Sequence, residues 1–432
     1  MICVRSTRDR SPRLGIDHFL PQSFFYLIIA SIPFFRLRQL PGPAFMKIDW
    51  LLTGAVLAIA LPALLALKKP PDRLRADLLA PFLVFLVVSS WSAILSPYPE
   101  QAMGGLLLLV QMTVFILVAL LLLNDNGVRQ ILPWVLGVSV GVNAFFSIIG
   151  YYFSFDLLTH EGSRAFGATI SANNMALMCV FTLPLMFFQA LHAPTRARRS
   201  LGAILTVLIV LGVFSTVSRA GFLILVFVFC VLAVQYRQRL QPRNFGLFIG
   251  AIGVALATIV VVVPESFFER QATLITEGTR DQSLDRRSTY LQVGAEAFFD
   301  RPLIGWGPDT FKRVWAESEA ALRFDRIERP AHNTYVEVAV AGGIVGLAAF
   351  GLLLWRAYRN FADAQRILAR HGSVRDAALM GAYKASFVSL LAYFLFKSGL
   401  DHKYFLLSIP LSYAALSAAR RQVGRLTHGD LA

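Results

Sequence analysis

Across 432 residues the chain is 56% hydrophobic and 16% charged, with a mean hydropathy of +0.60, whereas soluble domains carry about 25% charged residues. One water-soluble core cannot absorb so much apolar surface, so the composition excludes a soluble globule and points to a bilayer. A formal net charge of +15 raises nucleic acid as a partner, but the basic residues are spread through short connections between apolar runs, which sets nucleic-acid binding aside and makes the charge a matter of membrane topology.

In chain order, an arginine-bearing stretch at residues 1 to 20 precedes a short apolar run, "FFYLIIASIPFF". It resembles a secretory signal peptide, but no small-residue cleavage site follows. It reads as a first span at about 21 to 35; an interfacial helix, or an upstream extension of a chain starting at Met46, are the other readings. Further runs, most of roughly twenty residues and so long enough to cross about 30 Å of hydrocarbon, follow at about 48 to 67, 78 to 95, 105 to 123, 131 to 153, 173 to 191, 200 to 215, 220 to 235, 245 to 263, 333 to 355, 380 to 398 and 405 to 419. The pattern predicts an all-α integral membrane protein of about twelve transmembrane helices.

The loops separate by charge. "KKPPDRLR", "HAPTRARR", "YRQRLQPR", "WRAYRNFADAQRILARHGSVR" and "ARRQVGR" share a side with the amino terminus. "SPYPEQAMG" and "SFDLLTHEGSRAFGATIS", opposite, are nearly free of Lys and Arg, with "RLRQLPGPAFMK" as the exception. The positive-inside rule makes the basic side cytoplasmic and puts both termini there. The layout is then a cytoplasmic tail at 1–20, helices one to nine over 21–263, a large outer loop at 264–332, helices ten to twelve over 333–419 and a cytoplasmic tail at 420–432. Cys3 falls in the first tail and Cys179 and Cys230 in apolar runs, so neither a disulfide framework nor a metal cluster is indicated.

The outer loop is far longer than an ordinary connection, and its mixed charges nearly cancel. Within it Tyr290, Val293, Ala297 and Phe298 recur at helical spacing, giving one apolar face. "RPLIGWGPDTF" then breaks the helix, and Asp309 reads as the cap of a second helix running through Trp315. Gly342, Gly343 and Gly346 in the tenth span read as close helix packing.

Three outer positions besides the large loop carry polar groups beside apolar runs: Arg164, Arg219 in "STVSRAGF", and His332 with Asn333 at the start of the tenth span. Each has a plain reading alone. Arg219 can snorkel to the interface, His332 and Asn333 can cap a helix, and Arg286 with Arg287 can be a solvated helix face. Asn173 and Asn174 either contact a sugar or cap the sixth span, and His402 with Asp401 and Lys403 reads as a solvated turn, with contact to substrate as its other reading. What weighs against the plain readings is that these groups lie on one predicted side, in loops able to converge. Guanidinium forks match phosphate oxygens, and a neutral imidazole can take a hydroxyl proton near neutral pH. Together they suit transfer from a phosphate-linked donor to an alcohol. No HExxH, Walker A, GxSxG or CxxC arrangement is present.

Four ordered pieces resemble the O-antigen ligase and O-antigen polymerase superfamily of bacterial membrane proteins over about residues 160 to 350. "RAFGATISANNMA" resembles its Gly-rich outer loop, "STVSRAGFL" its Ser-Arg hairpin, "RRSTYLQVGAEAFFDRPLIGWGPDTF" its outer-loop helix and G-x-G step, and "AHNTYVEVAVAGGIVG" its His-Asn helix start with paired glycines. Many members carry an acidic residue shortly before the glycines; here Ala341 holds that place, with Glu337 one turn earlier.

The resemblance implies a multi-span, GT-C-like glycosyltransferase in the bacterial inner membrane, inverting and independent of metal or other cofactor, with its active site facing the periplasm, which makes the 264–332 loop periplasmic. It implies an undecaprenyl diphosphate-linked glycan as donor, lipid A-core or another glycan as acceptor, and membrane lipids as surroundings. Arg164, Arg219 and Arg286 or Arg287 would bind the diphosphate, His332 would orient or deprotonate the acceptor hydroxyl, and Asn333 would set the helix start, with Asn174 in support. A ligase moves the glycan onto lipid A-core. An O-antigen or exopolysaccharide polymerase, a protein O-oligosaccharyltransferase and, in another class, a lipid-linked glycan transporter remain alternatives. A transporter is expected to show internal repeats and mid-span ionisable residues; no convincing repeat is present, and Lys384 and Lys397 are the exceptions among polar groups gathered at one face.

Overall fold

The structure, a computed structural model, describes residues 19–35, 76–123, 125–153, 160–161, 164–165, 167–169, 171–237, 268, 272, 282–324 and 326–429. Regular structure among these residues is helical apart from the dipeptides β1 (His160–Glu161) and β2 (Arg164–Ala165), which pair antiparallel. The bundle is built from α1 (Phe19–Ser31), α2 (Ala76–Ile94), α3 (Pro99–Leu123), α4 (Asn126–Phe153), α5 (Ala172–His192), α6 (Arg196–Ser215) and α7 (Arg219–Tyr236). Two helices of the outer loop follow, α8 (Gln282–Asp300) and α9 (Phe311–Glu317), and then α10 (Thr334–Arg370), α11 (Val374–Tyr393) and α12 (Lys403–Gly429).

Among the described residues six helices are long and apolar enough to cross a membrane, namely α3, α4, α5, α6, α7 and α10, with shorter apolar helices at Pro21–Phe34 and Ala80–Ile94. The expected spans at 48–67 and 245–263 lie outside the described residues. The expected eleventh and twelfth spans correspond to α11 and α12, both packed into the bundle.

Side-chain caps begin several of these helices where loop gives way to apolar run. Ser171, Thr195, Ser218 and Asn333 each accept a hydrogen bond from a first-turn N–H, which satisfies donors that the helix leaves open. Helix α5 is buried without interruption from Asn174 to Met186 and packs against α4, α6, α7 and α11, so it is the centre of the bundle. Outer faces of α3, α6 and α7 instead expose Leu107, Ile204, Val207, Leu223 and Phe229, which is stable only against lipid.

The bundle has two chemically distinct ends. One gathers Arg196, Arg198, Arg199, Arg370 and Arg375 and is tied by Arg375 Nε–H to His192 O at 3.2 Å and Gln130 Nε2 to Asp376 Oδ1 at 3.1 Å. At the other end Ser147 and Ser215 hydroxyls meet at 2.9 Å, Ser218 Oγ donates to Asn173 Oδ1 at 2.9 Å, and the Tyr393 hydroxyl donates to Asn173 O at 3.0 Å.

Helix α10 is broken inside its apolar run, at Gly343, where φ is +59°. The break frees backbone groups that the outer loop satisfies: Trp306 N–H donates to Val340 O at 2.8 Å and Gly307 N–H to Ala341 O at 2.9 Å, while Ile344 N–H donates to Pro302 O at 2.7 Å. The approach is so close that a Cβ on Gly343 would lie 2.4 Å from the Leu303 carbonyl carbon, and one on Gly305 2.5 Å from Val340 O. Gly343 is therefore a helix break rather than the expected close-packing position. Gly342 and Gly346 do not pack closely either: a Cβ on Gly342 meets nothing within 4 Å and one on Gly346 only ordinary contacts at 3.9 Å.

Gly343→Ala should lower stability by at least about 1–3 kcal/mol, the cost of a strained backbone position, read as a fall in the thermal midpoint of the detergent-solubilised protein. Gly351→Ala in the same helix, where a Cβ meets nothing within 4 Å, should be neutral. Equal midpoints for the two variants would contradict the docking of the loop at the break.

Candidate functional site

Docking at Gly343 carries α8 and α9 onto the start of α10. Tyr290, Val293 and Ala297 of α8 are buried, as their spacing predicts, in a small core with Phe311 and Trp315. Phe298 is only half-buried. The Tyr290 ring lies 4.5 Å from that of Trp315 and 6.1 Å from the His332 imidazole. Asp309 does not cap α9. It adopts φ +59°, Thr310 holds the cap position, and the Asp309 carboxylate pairs with Lys312 Nζ at 2.9 Å.

His332 has φ +52°, a conformation that side chains rarely adopt. Its backbone is braced from both sides. The His332 N–H donates to Ser398 Oγ at 3.1 Å, the Ser398 hydroxyl donates to Glu337 Oε1 at 2.6 Å, and Ala331 N–H donates to the same oxygen at 2.9 Å. Asn333 Oδ1 accepts from Tyr335 N–H at 3.0 Å and Val336 N–H at 3.2 Å, so Asn333 is the cap. Thr334 completes the seam: its N–H donates to Phe394 O at 2.9 Å and its hydroxyl to Lys397 O at 2.7 Å.

That seam closes a cavity of about 460 Å³ with two characters. Phe35, Phe85, Leu109, Met112 and Met178 line its apolar part. His332, Glu337, Lys312, Lys397, Lys403 and His402 line the polar part, with Asn174, Asp309 and Asp401 beside them.

Burial, followed by the charges of Arg287, Lys397, Arg286 and Arg329, pushes the His332 imidazole down to about 4. Burial, then Lys397 and Lys403, pushes His402 down to about 3. Both rings are thus neutral near pH 7. Burial opposes the charge on Lys312, but Asp309, with Glu337 and Asp401, outweighs it and holds that ammonium above the usual lysine value.

The structure brings Arg286 and Arg287 together with His332, since both bear on its charge. They approach from the α8 side and are not among the cavity's lining residues, and neither is Arg219. Arg219 opens α7 at the same end of the bundle, half-buried, directly after Ser218. It is tied towards α10 through the Ser218 to Asn173 and Tyr393 to Asn173 hydrogen bonds and the bond from Thr334 N–H to Phe394 O. Arg164 lies in β2, opposite Glu161 in register. Asn174 is buried, lines the cavity, and gives its N–H to Ser171 Oγ at 3.3 Å.

Several lining residues were not singled out by sequence. Lys397 read as an ionisable exception in the eleventh span and His402 as a solvated turn, yet the turn after α11 folds back over the start of α10 and delivers both to the cavity. Glu337 stood one turn from the position at which an acid was sought. Its carboxylate nevertheless reaches the His332 backbone through Ser398.

Residues 204–351 match a family model described as O-Antigen ligase. No curated protein matches the chain. The resemblance to the O-antigen ligase superfamily holds over the matched segment, which contains three of the four pieces read from sequence and, with them, Arg219, Arg286, Arg287, His332 and Asn333. Arg164 and Asn174 precede it.

His332 should titrate near pH 4 in the empty site, against about 6.5 for an unperturbed histidine. Between those values the unfolded chain takes up a proton that the native site refuses. This group therefore subtracts stability as pH falls from about 6.5 towards 4, and adds no pH dependence above that window. Ring-nitrogen NMR of labelled histidine, with the signal assigned by its loss in His332→Gln, measures the midpoint. A midpoint near 6.5 would contradict a buried, cation-flanked imidazole, and Arg287→Gln should move it only part of the way up, because burial is the larger cause.

Proposed function

Taking the chain as a multi-pass membrane enzyme of the O-antigen ligase and polymerase type, we propose that it is an inverting glycosyltransferase. It moves a glycan from an undecaprenyl diphosphate carrier onto a sugar hydroxyl of lipid A-core. The reading is carried by one observation: a neutral imidazole, flanked by cations from separate elements, faces a half-apolar cavity at the bundle end remote from the basic loops. The positive-inside rule makes those basic loops cytoplasmic, with both termini, which puts the cavity at the periplasmic face of the inner membrane.

In the proposed reaction the acceptor hydroxyl attacks the anomeric carbon of the donor glycan. The bond from that carbon to the diphosphate oxygen breaks, and the electron pair leaves with undecaprenyl diphosphate. The hydroxyl proton passes to the His332 imidazole. Arg219, Arg286 and Arg287, with Arg164, hold the diphosphate and stabilise the charge that grows on it. The apolar part of the cavity takes the first units of the carrier's hydrocarbon.

The depressed proton affinity of His332 fits this order of events. Burial, with the surrounding cations, keeps the ring neutral and so able to accept a proton. A bound diphosphate offsets those cations and raises the affinity of the ring for the proton it must take. Glu337 and Ser398 act through the His332 backbone, as positioning residues.

The test is reconstitution with labelled lipid-linked donor and lipid A-core. Glycan should appear on the core, and His332→Ala should lower turnover by about 10²–10⁴-fold, the usual worth of acid–base catalysis, with membrane insertion intact. Arg219→Lys should also impair turnover, since an ammonium cannot reproduce the fork. Full transfer by His332→Ala would return that residue to a structural role. Transfer onto a second lipid-linked repeat would mark a polymerase, and transbilayer movement without release would mark a transporter.

A separate comparison tests the brace. Glu337→Gln keeps an acceptor oxygen and should keep turnover, whereas Glu337→Ala should cost on the order of 10²-fold, as expected when a reacting group is misplaced by about 1 Å. Equal turnover of the two variants would remove Glu337 from the positioning role.

A further inference from the structure

At the basic end of the bundle, away from His332, a second and more open cavity of about 650 Å³ lies where the first turns of α4, α6 and α11 meet. Arg198 and Arg375 line it. Arg375 is anchored by its Nε–H to His192 O at 3.2 Å, and its terminal nitrogens have no protein partner among the described residues. Asp376 also lines the cavity, but its Oδ1 accepts from Gln130 Nε2 at 3.1 Å, and no ion pair joins it to either guanidinium among the described residues. Two forks thus face one open space without a direct ion-pair partner among the described residues, one charge in excess of the single carboxylate there, and the starts of three helices add to the positive potential.

The wall of this cavity is not that of a site for a soluble anion. Ile131 and Leu201 line it while remaining 46% and 43% exposed. Exposed apolar side chains continue from them down both packed helices, through Val138 and Val142 on α4 and Ile204 and Val207 on α6. Trp134, half-buried, stands in the lining at the junction of the charged and apolar parts, the level at which Trp settles in a membrane interface.

We propose that this cavity binds the phosphate headgroup of an anionic membrane phospholipid, with an acyl chain lying along the exposed faces of α4 and α6. A guanidinium pair supplies the match to phosphate oxygens, and the apolar strip supplies what free phosphate has no use for. The site is separate from the proposed transfer chemistry and does not depend on it.

The test uses the full chain in detergent with equimolar phosphatidylglycerol and phosphatidylcholine, the retained lipid being counted by native mass spectrometry. Wild type should retain phosphatidylglycerol with at least about tenfold preference, a difference of about 1.4 kcal/mol. The double variant Arg198→Ala, Arg375→Ala should lose that preference. Both side chains are exposed, so folding is not at stake, and an unchanged thermal midpoint verifies this. Equal retention of the two lipids by wild type, or an unchanged preference in the double variant, would overturn the proposal. Displacement of the lipid by millimolar inorganic phosphate would overturn it in favour of a soluble anion.

Discussion

The architecture of the site depends on how a helix in an apolar run can be broken. In hydrocarbon an unsatisfied peptide group costs several kcal/mol, so a span gives up its internal hydrogen bonds only where protein replaces them. At Gly343 the replacement is the segment from Pro302 to Gly307, which takes up the carbonyls of Val340 and Ala341 and the amide of Ile344. Ser92 of α2 adds a hydrogen bond to Ala341 O at 2.6 Å, and Ser96 donates to Trp306 O, so a third element is drawn into the same joint. Because the segment begins directly after α8 and ends directly before α9, the joint fixes both outer helices relative to α10. Arg286, Arg287 and Tyr290 owe their position near His332 to a backbone pairing more than ten residues away in sequence.

His332 illustrates how a strained residue is held in place. A left-handed backbone at a histidine costs on the order of 1–3 kcal/mol and persists only where neighbours over-determine it. Here the neighbours are the Glu337 carboxylate, the Ser398 hydroxyl and the Asn333 cap, which between them take up the N–H groups of Ala331, His332, Tyr335 and Val336. The ring is therefore aimed by its backbone. Its electrostatics follow from the same placement, since burial and four cations keep it neutral near pH 7.

Much of this was legible because membrane sequences carry strong periodicities and side preferences. The polar pair His332 and Asn333 at the head of an apolar run marked a helix start, and Asn333 proves to be the cap while His332 lines a cavity, so the capping reading holds for Asn333 alone. The apolar stripe of Tyr290, Val293 and Ala297 packs as its spacing predicts. What escaped were features set by long-range pairing. A Gly-Gly step inside an apolar run looks the same whether it packs against a helix or breaks one, because the partner segment lies some forty residues upstream. Lys397 and His402 escaped because hydropathy places a cation at a span end in solvent and has no means of showing that a turn folds back. Asp309 looked like a cap because its type favours caps, but the approach of Gly307 and Pro308 to α2 and α3 imposes another backbone on it.

The two ends of the bundle solve one physical problem in opposite ways. A charged group near hydrocarbon must be solvated, paired or put to use. At the basic end the guanidiniums are exposed, and the helices there need only start or stop. At the other end three lysines, two imidazoles and three carboxylates line a partly buried cavity, which no straight helix end can enclose. The broken α10, the loop docked into it and the returning turn after α11 together build walls around that space while leaving an apolar flank formed by Ile32 and Phe35, just after α1, and by α2, α3 and α5. The cavity thus sets an apolar wall and a charged, polar wall side by side, with the imidazole among the polar lining. The proposed chemistry accounts for the place of His332 at the head of a span, because a position one or two turns deeper would strand the cations in lipid, and a position further out would lose the apolar wall.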